Sequence, residues 1–158
     1  MLLASLFREK VIMDKMAQIT HPSTVTKHQT SLLKYLMIFV GVSGCFSVLF
    51  GAWLAHAGQA LPANTQLILK TALQYQLFHT LALLAALVWA VASLPVRTPS
   101  KTLIAACIGF FIGIVCFSGS IYIKTFLSFP IIGKLTPLGG ISLAVAWLLL
   151  SIEGKNSL

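Results

Sequence analysis

Residues 71–94 read TALQYQLFHTLALLAALVWAVASL, 24 positions with no formal charge and with most of the polar side chains in the first ten. At 1.5 Å rise per residue a helix of this length covers about 36 Å, more than the roughly 30 Å hydrocarbon core of a bilayer. The solvent for such a segment is lipid. Three further apolar runs flank it, Leu36–Ala57, Leu103–Ile123 and Leu135–Ile152, the last being the shortest and the weakest as a span. The four runs predict an all-α, integral membrane, four-helix up-down-up-down bundle.

The composition agrees with this. Hydrophobic residues make up 58% of the 158 positions and charged residues 9%, too little charge for the surface of a soluble domain. The chain has room for one helical unit and no separate catalytic domain. The net charge of +8 is carried by residues that flank the spans rather than by a basic face interleaved with aromatics, which argues against a nucleic-acid partner. Arg8, Lys10, Lys15, Lys27, Lys34, Arg97, Lys101 and Lys155 fall on one side and Lys70, Lys124 and Lys134 on the other. That asymmetry places both termini in the cytoplasm. Cys45, Cys107 and Cys116 all lie inside predicted spans, which argues against a disulfide framework. Ala55-x-Ala57 resembles a signal-peptidase site, but the apolar run before it is too long for a signal peptide, so the first span reads as retained.

Residues 1–34 read as a basic cytoplasmic tail, either disordered or opening with an interfacial amphipathic helix over Met1–Met16, and residues 35–153 as the transmembrane domain. Internal Met13 and Met16 leave the true start open. The expected links are about 13 residues between the first two spans, a Pro95-x-x-x-Pro99 turn between the second and third, and an apolar return over Lys124–Lys134. Short links make sequence neighbours antiparallel. Gly109 and Gly113 form a GxxxG pair continued by Cys116 and Ser120, and Gly44, Gly51 and Ala55 share a side of the first span; these, with Gly119 and Gly140, are the expected packing positions. The spacing leaves open whether they pack within one chain or in a homodimer.

Threaded with the termini inside, the chain gathers its intramembrane polar groups in the outer half: His56, Gln74, Tyr75, Gln76, His79, Ser118, Ser120, Tyr122 and Thr136. Tyr75 and Gln76 precede His79 by four and three residues, which predicts a shared helix face. Two readings follow. One is an outward-opening polar pocket with His79 as its deepest titratable group, since ionisable residues in a membrane face a cavity or a partner. The other is interhelical hydrogen bonding.

His56 and His79 are on neighbouring spans, but a predicted depth offset near 12 Å argues against their holding one haem iron. No carboxylate lies in a predicted span, because Glu9, Asp14 and Glu153 all fall outside. This argues against a metal centre, against general-base catalysis and against carboxylate-coupled transport. No cofactor is expected and the chain reads as non-enzymatic.

Gly51-Ala52-Trp53-Leu54-Ala55-His56, Ala72-x-x-Tyr75-Gln76-x-x-His79, Phe117-Ser118-Gly119-Ser120-x-Tyr122 and Gly133-x-x-Thr136-Pro137-x-Gly139-Gly140, with Trp147 downstream, together resemble the YgdD-like family of small four-span inner-membrane proteins, a domain of unknown function. The resemblance runs from about Leu36 to Leu150. Leu54 stands where the family motif has a second glycine. The resemblance implies a bacterial inner membrane and four spans, supplies no activity, and marks His56, Tyr75, Gln76, His79, Ser118, Gly119, Ser120, Thr136, Pro137 and Gly140 as motif positions. The expected function is a membrane protein whose outer polar pocket binds a lipid, a small molecule or a membrane partner. The alternatives are a small oligomeric channel or transporter lined by His79 and Gln76, and, third, a redox or metal protein.

Overall fold

The computed structural model describes residues 27–127 and 129–157. Among the described residues there is helix and turn and no strand. The helices are α1 (Lys27–Ala55), α2 (Ala63–Ser93), α3 (Lys101–Ile114), α4 (Ser120–Leu127) and α5 (Leu135–Ser157). A π-helical turn, Val115–Gly119, joins α3 to α4, so the two make a single third span; short 3-10 turns at Ala57–Ala60 and Pro130–Lys134 lead into α2 and α5. Four segments are long and apolar enough to cross a membrane: Gln29–Ala55, Ala63–Ser93, Lys101–Leu127 and Ile131–Ser157.

These segments are longer than the apolar runs. The fourth, expected to be the shortest, equals the first and third at 27 residues, and α2 begins eight residues before Thr71. The first link shrinks to residues 56–62, and α1 starts inside the stretch read as a tail. Hydropathy ends where polar residues begin, but Asn64, Gln66 and Lys70 are good company for helix at a membrane surface, where water and headgroups solvate their side chains. The link is also tied locally: Gln59 Nε2 donates to the Leu54 carbonyl at 3.1 Å and Gln66 Nε2 to the Leu61 carbonyl at 2.9 Å. The proposed Met1–Met16 helix lies outside the described residues.

Leu33, Leu36 and Val40 of α1, Leu83, Leu87 and Ala90 of α2, Leu103, Cys107 and Phe110 of α3, and Leu143 and Ala146 of α5 form one buried core. Apolar side chains are just as common outside. Ile38, Val48, Leu49, Leu67, Phe78, Leu81, Leu138, Ile141 and Leu148 are all exposed, so the helices are apolar around their circumference, the pattern of a lipid-facing bundle.

The closest seam is between α3 and α5. A methyl group on Gly109 would stand 3.1 Å from Ala146 Cβ, and one on Gly113 would stand 2.6 Å from Leu143 Cγ, so the GxxxG pair packs within the chain. Other glycines correct the sequence expectation. Gly44 and Gly119 have open space where a Cβ would point, Ala55 is exposed, and Gly51 and Gly140 meet only ordinary van der Waals neighbours. The tightest approach is at Gly139, where a Cβ would lie 2.7 Å from the Cys116 carbonyl carbon and 2.8 Å from Phe117 Cα. Only glycine lets α5 touch the π turn's backbone there.

Candidate functional site

The polar residues expected in the outer half divide into separate groups. Gln76 is buried against α1, its Nε2 donating to the Ser43 carbonyl at 3.3 Å and to Ser43 Oγ at 3.1 Å. Ser43 Oγ also pairs with Thr80 Oγ1 at 2.8 Å, and Ser47 Oγ donates to the Ser43 carbonyl at 2.8 Å. Ser43, Ser47 and Thr80 escaped the sequence reading. Their signal is the four-residue recurrence of small side chains at Ser43, Ser47 and Gly51, which faces α2, whereas Gly44 lies one helical step aside.

Tyr75 and His79 turn toward a different side. Their rings stack at 5.6 Å, Tyr75 stacks on Phe117 at 4.5 Å, and His79 lies near Phe110 and Trp147 at 6.2 and 6.4 Å. The expected common face of Tyr75, Gln76 and His79 is thus split between α1 on one side and the third span and α5 on the other. The reason is rotational: adjacent helical residues are about 100° apart, enough to send Tyr75 and Gln76 to different neighbours. His79 Nδ1 lies 2.6 Å from the Tyr75 carbonyl oxygen. A carbonyl only accepts, so Nδ1 is the donor of this contact.

Ser118, in the π turn, donates to the Ala72 carbonyl at 2.8 Å. Ser120 Oγ donates to the Phe117 carbonyl at 3.0 Å and lies 2.7 Å from Thr136 Oγ1. Since the Ser120 hydroxyl has one proton and spends it on Phe117, Thr136 is the donor of that pair. Ser118, Ser120 and Thr136 therefore join α2, the third span and α5. His56 lies exposed beyond the end of α1, while His79 is near the middle of α2, so the two imidazoles do not meet. Among the described residues no three of His, Cys, Asp or Glu come together.

Tyr122 belongs to an aromatic row that runs between α1 and α4: its ring packs on Phe46 at 5.5 Å and on Phe50 at 5.0 Å, and Phe50 and Trp53 continue to Phe126. Its hydroxyl is buried, and among the described residues it is the only buried side-chain polar atom without a hydrogen-bond partner. It borders a cleft of about 270 Å³ between α1 and the third span, lined also by Phe39, Ser43, Phe46, Gln76, Val115 and Gly119. Because Gln76 Nε2 is occupied by Ser43, the group Gln76 can offer the cleft is its Oε1 acceptor. The cleft thus brings together Gln76 and Tyr122, two of the expected site residues. Tyr75, His79, Ser118, Ser120, Thr136 and His56 are outside it.

A second polar cluster sits at the other end of the bundle. Glu153 is 2% exposed; it accepts hydrogen bonds from Ser100 and, at 2.8 Å, from Ser157, and pairs with Arg97 at 3.9 Å. Ser100 also caps α3, accepting from the Leu103 N–H at 3.0 Å. This carboxylate, expected outside the membrane, ties the α2–α3 link to the last turns of α5.

Residues 50–140 match the family model described as Protein of unknown function (DUF423). The chain is 35% identical over 125 residues to the UPF0382 membrane protein of Haemophilus influenzae, covering 78% of this chain and 95% of the relative. It is 31% identical over 120 residues to the UPF0382 inner membrane protein YgdD of Escherichia coli K12, covering 75% and 88%. To the UPF0382 membrane protein YwdK of Bacillus subtilis it is 29% identical over 129 residues, covering 80% and 100%. No solved structure matches the chain.

Proposed function

We propose, since the chain belongs to the DUF423 family of UPF0382 membrane proteins, that it is a non-enzymatic binding protein of the bacterial inner membrane, whose cleft between α1 and the third span receives an amphiphile from the bilayer. The observation that carries this reading is the Tyr122 hydroxyl, buried beside the cleft with no partner among the described residues. A polar group left unpaired in a low-dielectric site costs about 1–3 kcal/mol, a penalty that a ligand accepting its hydrogen bond removes. With Tyr122 as donor and Gln76 Oε1 as acceptor, the cleft suits a neutral polar group that both accepts and donates, such as a hydroxyl, carboxylic acid or amide, on an apolar chain lying along Phe39, Phe46 and Val115. A non-enzymatic role is supported by the placement of Glu153, the carboxylate among the described side chains, which is held by Ser100 and Ser157 away from Tyr122.

The arrangement we infer is up-down-up-down with both termini cytoplasmic. Contacts between Ser43 and Thr80 and between Gly51 and Leu73, then Phe110 with His79 and Ser118 with Ala72, then Gly109 with Ala146 and Ser120 with Thr136 support the alternating directions. The eight-to-three distribution of Lys and Arg supports the orientation.

Native mass spectrometry of the gently purified protein beside Tyr122→Phe tests the binding role. A discrete bound mass on the wild type, reduced about tenfold in occupancy by Tyr122→Phe, is the expected result. An equally bare chain in both samples refutes it.

A further inference from the structure

At the end of the bundle formed by the α1–α2 and α4–α5 links, two pockets meet on one lysine. The first, about 410 Å³, is bounded by Phe117, Ile121, Gly133 and Thr136. The second, about 400 Å³, is bounded by Pro62, Thr65 and Phe126. Ile68, Lys124 and Thr125 line both. The Lys124 stem lies over Gly133 across the turn: a Cβ there would stand 3.1 Å from Lys124 Cδ and 3.6 Å from its Nζ, so the stem rests where only a glycine leaves room. The carboxylate among the described side chains, Glu153, is engaged at the opposite end of the molecule. The result is a lysine where two pockets meet, with Thr65 and Thr125 among the residues that line them and apolar walls at Ile68, Phe117 and Ile121.

We propose that this pair of pockets is a phosphate site, with the phosphodiester of a membrane phospholipid as its occupant. Lys124 supplies a charge-assisted hydrogen bond to a phosphate oxygen, the kind of contact that is shorter and stronger than a neutral one. The two threonines supply neutral donors to the remaining oxygens. Lys124 is near the end of the third span, where a lysine stem runs along apolar surface and its head reaches the headgroup layer. An acyl chain then follows Ile68, Phe117 and Ile121 into the bilayer, which a water-soluble phosphate cannot do. The site is separate from the Tyr122 cleft: Tyr122 lines neither pocket and Lys124 does not line the cleft.

The test uses the full chain in neutral detergent micelles, with defined phosphatidylglycerol added and bound lipid counted by native mass spectrometry. The expected result is a phosphatidylglycerol adduct whose occupancy falls at least about fivefold in Lys124→Gln, is retained in Lys124→Arg, and is unchanged in Lys70→Gln, a cation of the same end that lines neither pocket. Gly133→Leu, which evicts the lysine stem without touching its charge, is expected to reproduce the loss. Diacylglycerol with the same acyl chains is expected not to compete. Inorganic phosphate at millimolar concentration is expected to leave the adduct in place; its displacing the adduct in the wild type would overturn the lipid as occupant and assign a soluble phosphate. Equal adducts in wild type and Lys124→Gln, or equal retention of diacylglycerol, overturn the site. Tyr122→Phe keeps the adduct, so failure here and failure of the cleft are separate results.

Discussion

At Gly139 a methyl group would collide with the backbone of Cys116 and Phe117, atoms that cannot swing aside as a side chain can. Gly139→Ala is therefore expected to cost about 3 kcal/mol or to prevent the bundle from closing, as overpacking against fixed backbone does. Gly44→Ala, with open space at the same atom, is expected to be neutral or to gain up to about 1 kcal/mol from helix propensity. Thermal unfolding in a single detergent compares the two. Tyr122 offers the opposite kind of substitution. Its hydroxyl has no partner among the described residues, so Tyr122→Phe removes a buried unsatisfied group and is expected to stabilise the ligand-free protein by about 1 kcal/mol while lowering occupancy of the cleft about tenfold. A structural role for the hydroxyl would make the same variant less stable.

Helix pairs are held together by a few shared polar groups rather than by many independent ones. Ser43 bonds with both Gln76 and Thr80, so Ser43→Ala and Thr80→Val break overlapping parts of one network. Each single variant is expected to cost about 0.6–1.7 kcal/mol, the range of interhelical hydrogen bonds in membranes. The double variant is expected to cost less than their sum, with a coupling of at least about 0.5 kcal/mol in a thermal double-mutant cycle; additivity would mean that the two hydroxyls act independently. Four apolar spans were legible from the sequence because hydropathy acts over whole segments. Which polar residue faces which helix was not. Tyr75 and Gln76 are adjacent in sequence and part company through one 100° step, and the burial of Ser43 depends on where α2 lies. Helix ends were misplaced for a different reason, since residues such as Gln66 and Lys70 lower hydropathy without breaking a helix. The π turn left no sequence mark, because its cause is tertiary: Ser118 bonded to α2 and Gly139 pressed against its backbone.

Across the whole molecule the two ends differ in chemistry. One end is tied by Glu153, which joins the α2–α3 link to the final turns of α5; the other holds Lys70, Lys124 and Lys134 near short turns. Glu153→Ala removes the acceptor of the Ser100 and Ser157 hydroxyls and the ion-pair partner of Arg97, and is expected to destabilise the fold by about 1–3 kcal/mol, measured as a lower midpoint of thermal unfolding. Orientation has its own test. In a cysteine-free background, a cysteine at Asn64 is expected to react with an impermeant maleimide added outside intact spheroplasts; labelling only after their lysis reverses the assignment of the two ends.

The π turn sets a phase. An i→i+5 turn takes up one residue more than a continuous α-helix, so the half of the third span after Gly119 is rotated by about 100° from where α3 alone would carry it. Straightening the turn into α-helix with every residue kept would turn Tyr122 and Lys124 away from their cavities together, whereas deleting one residue between Val115 and Gly119 would remove the turn and leave both in phase; Gly109 and Gly113, upstream, face α5 in either case. The phase of the span's second half thus depends on the turn and the residue count together, and independently of the seam that Gly109 and Gly113 make with α5.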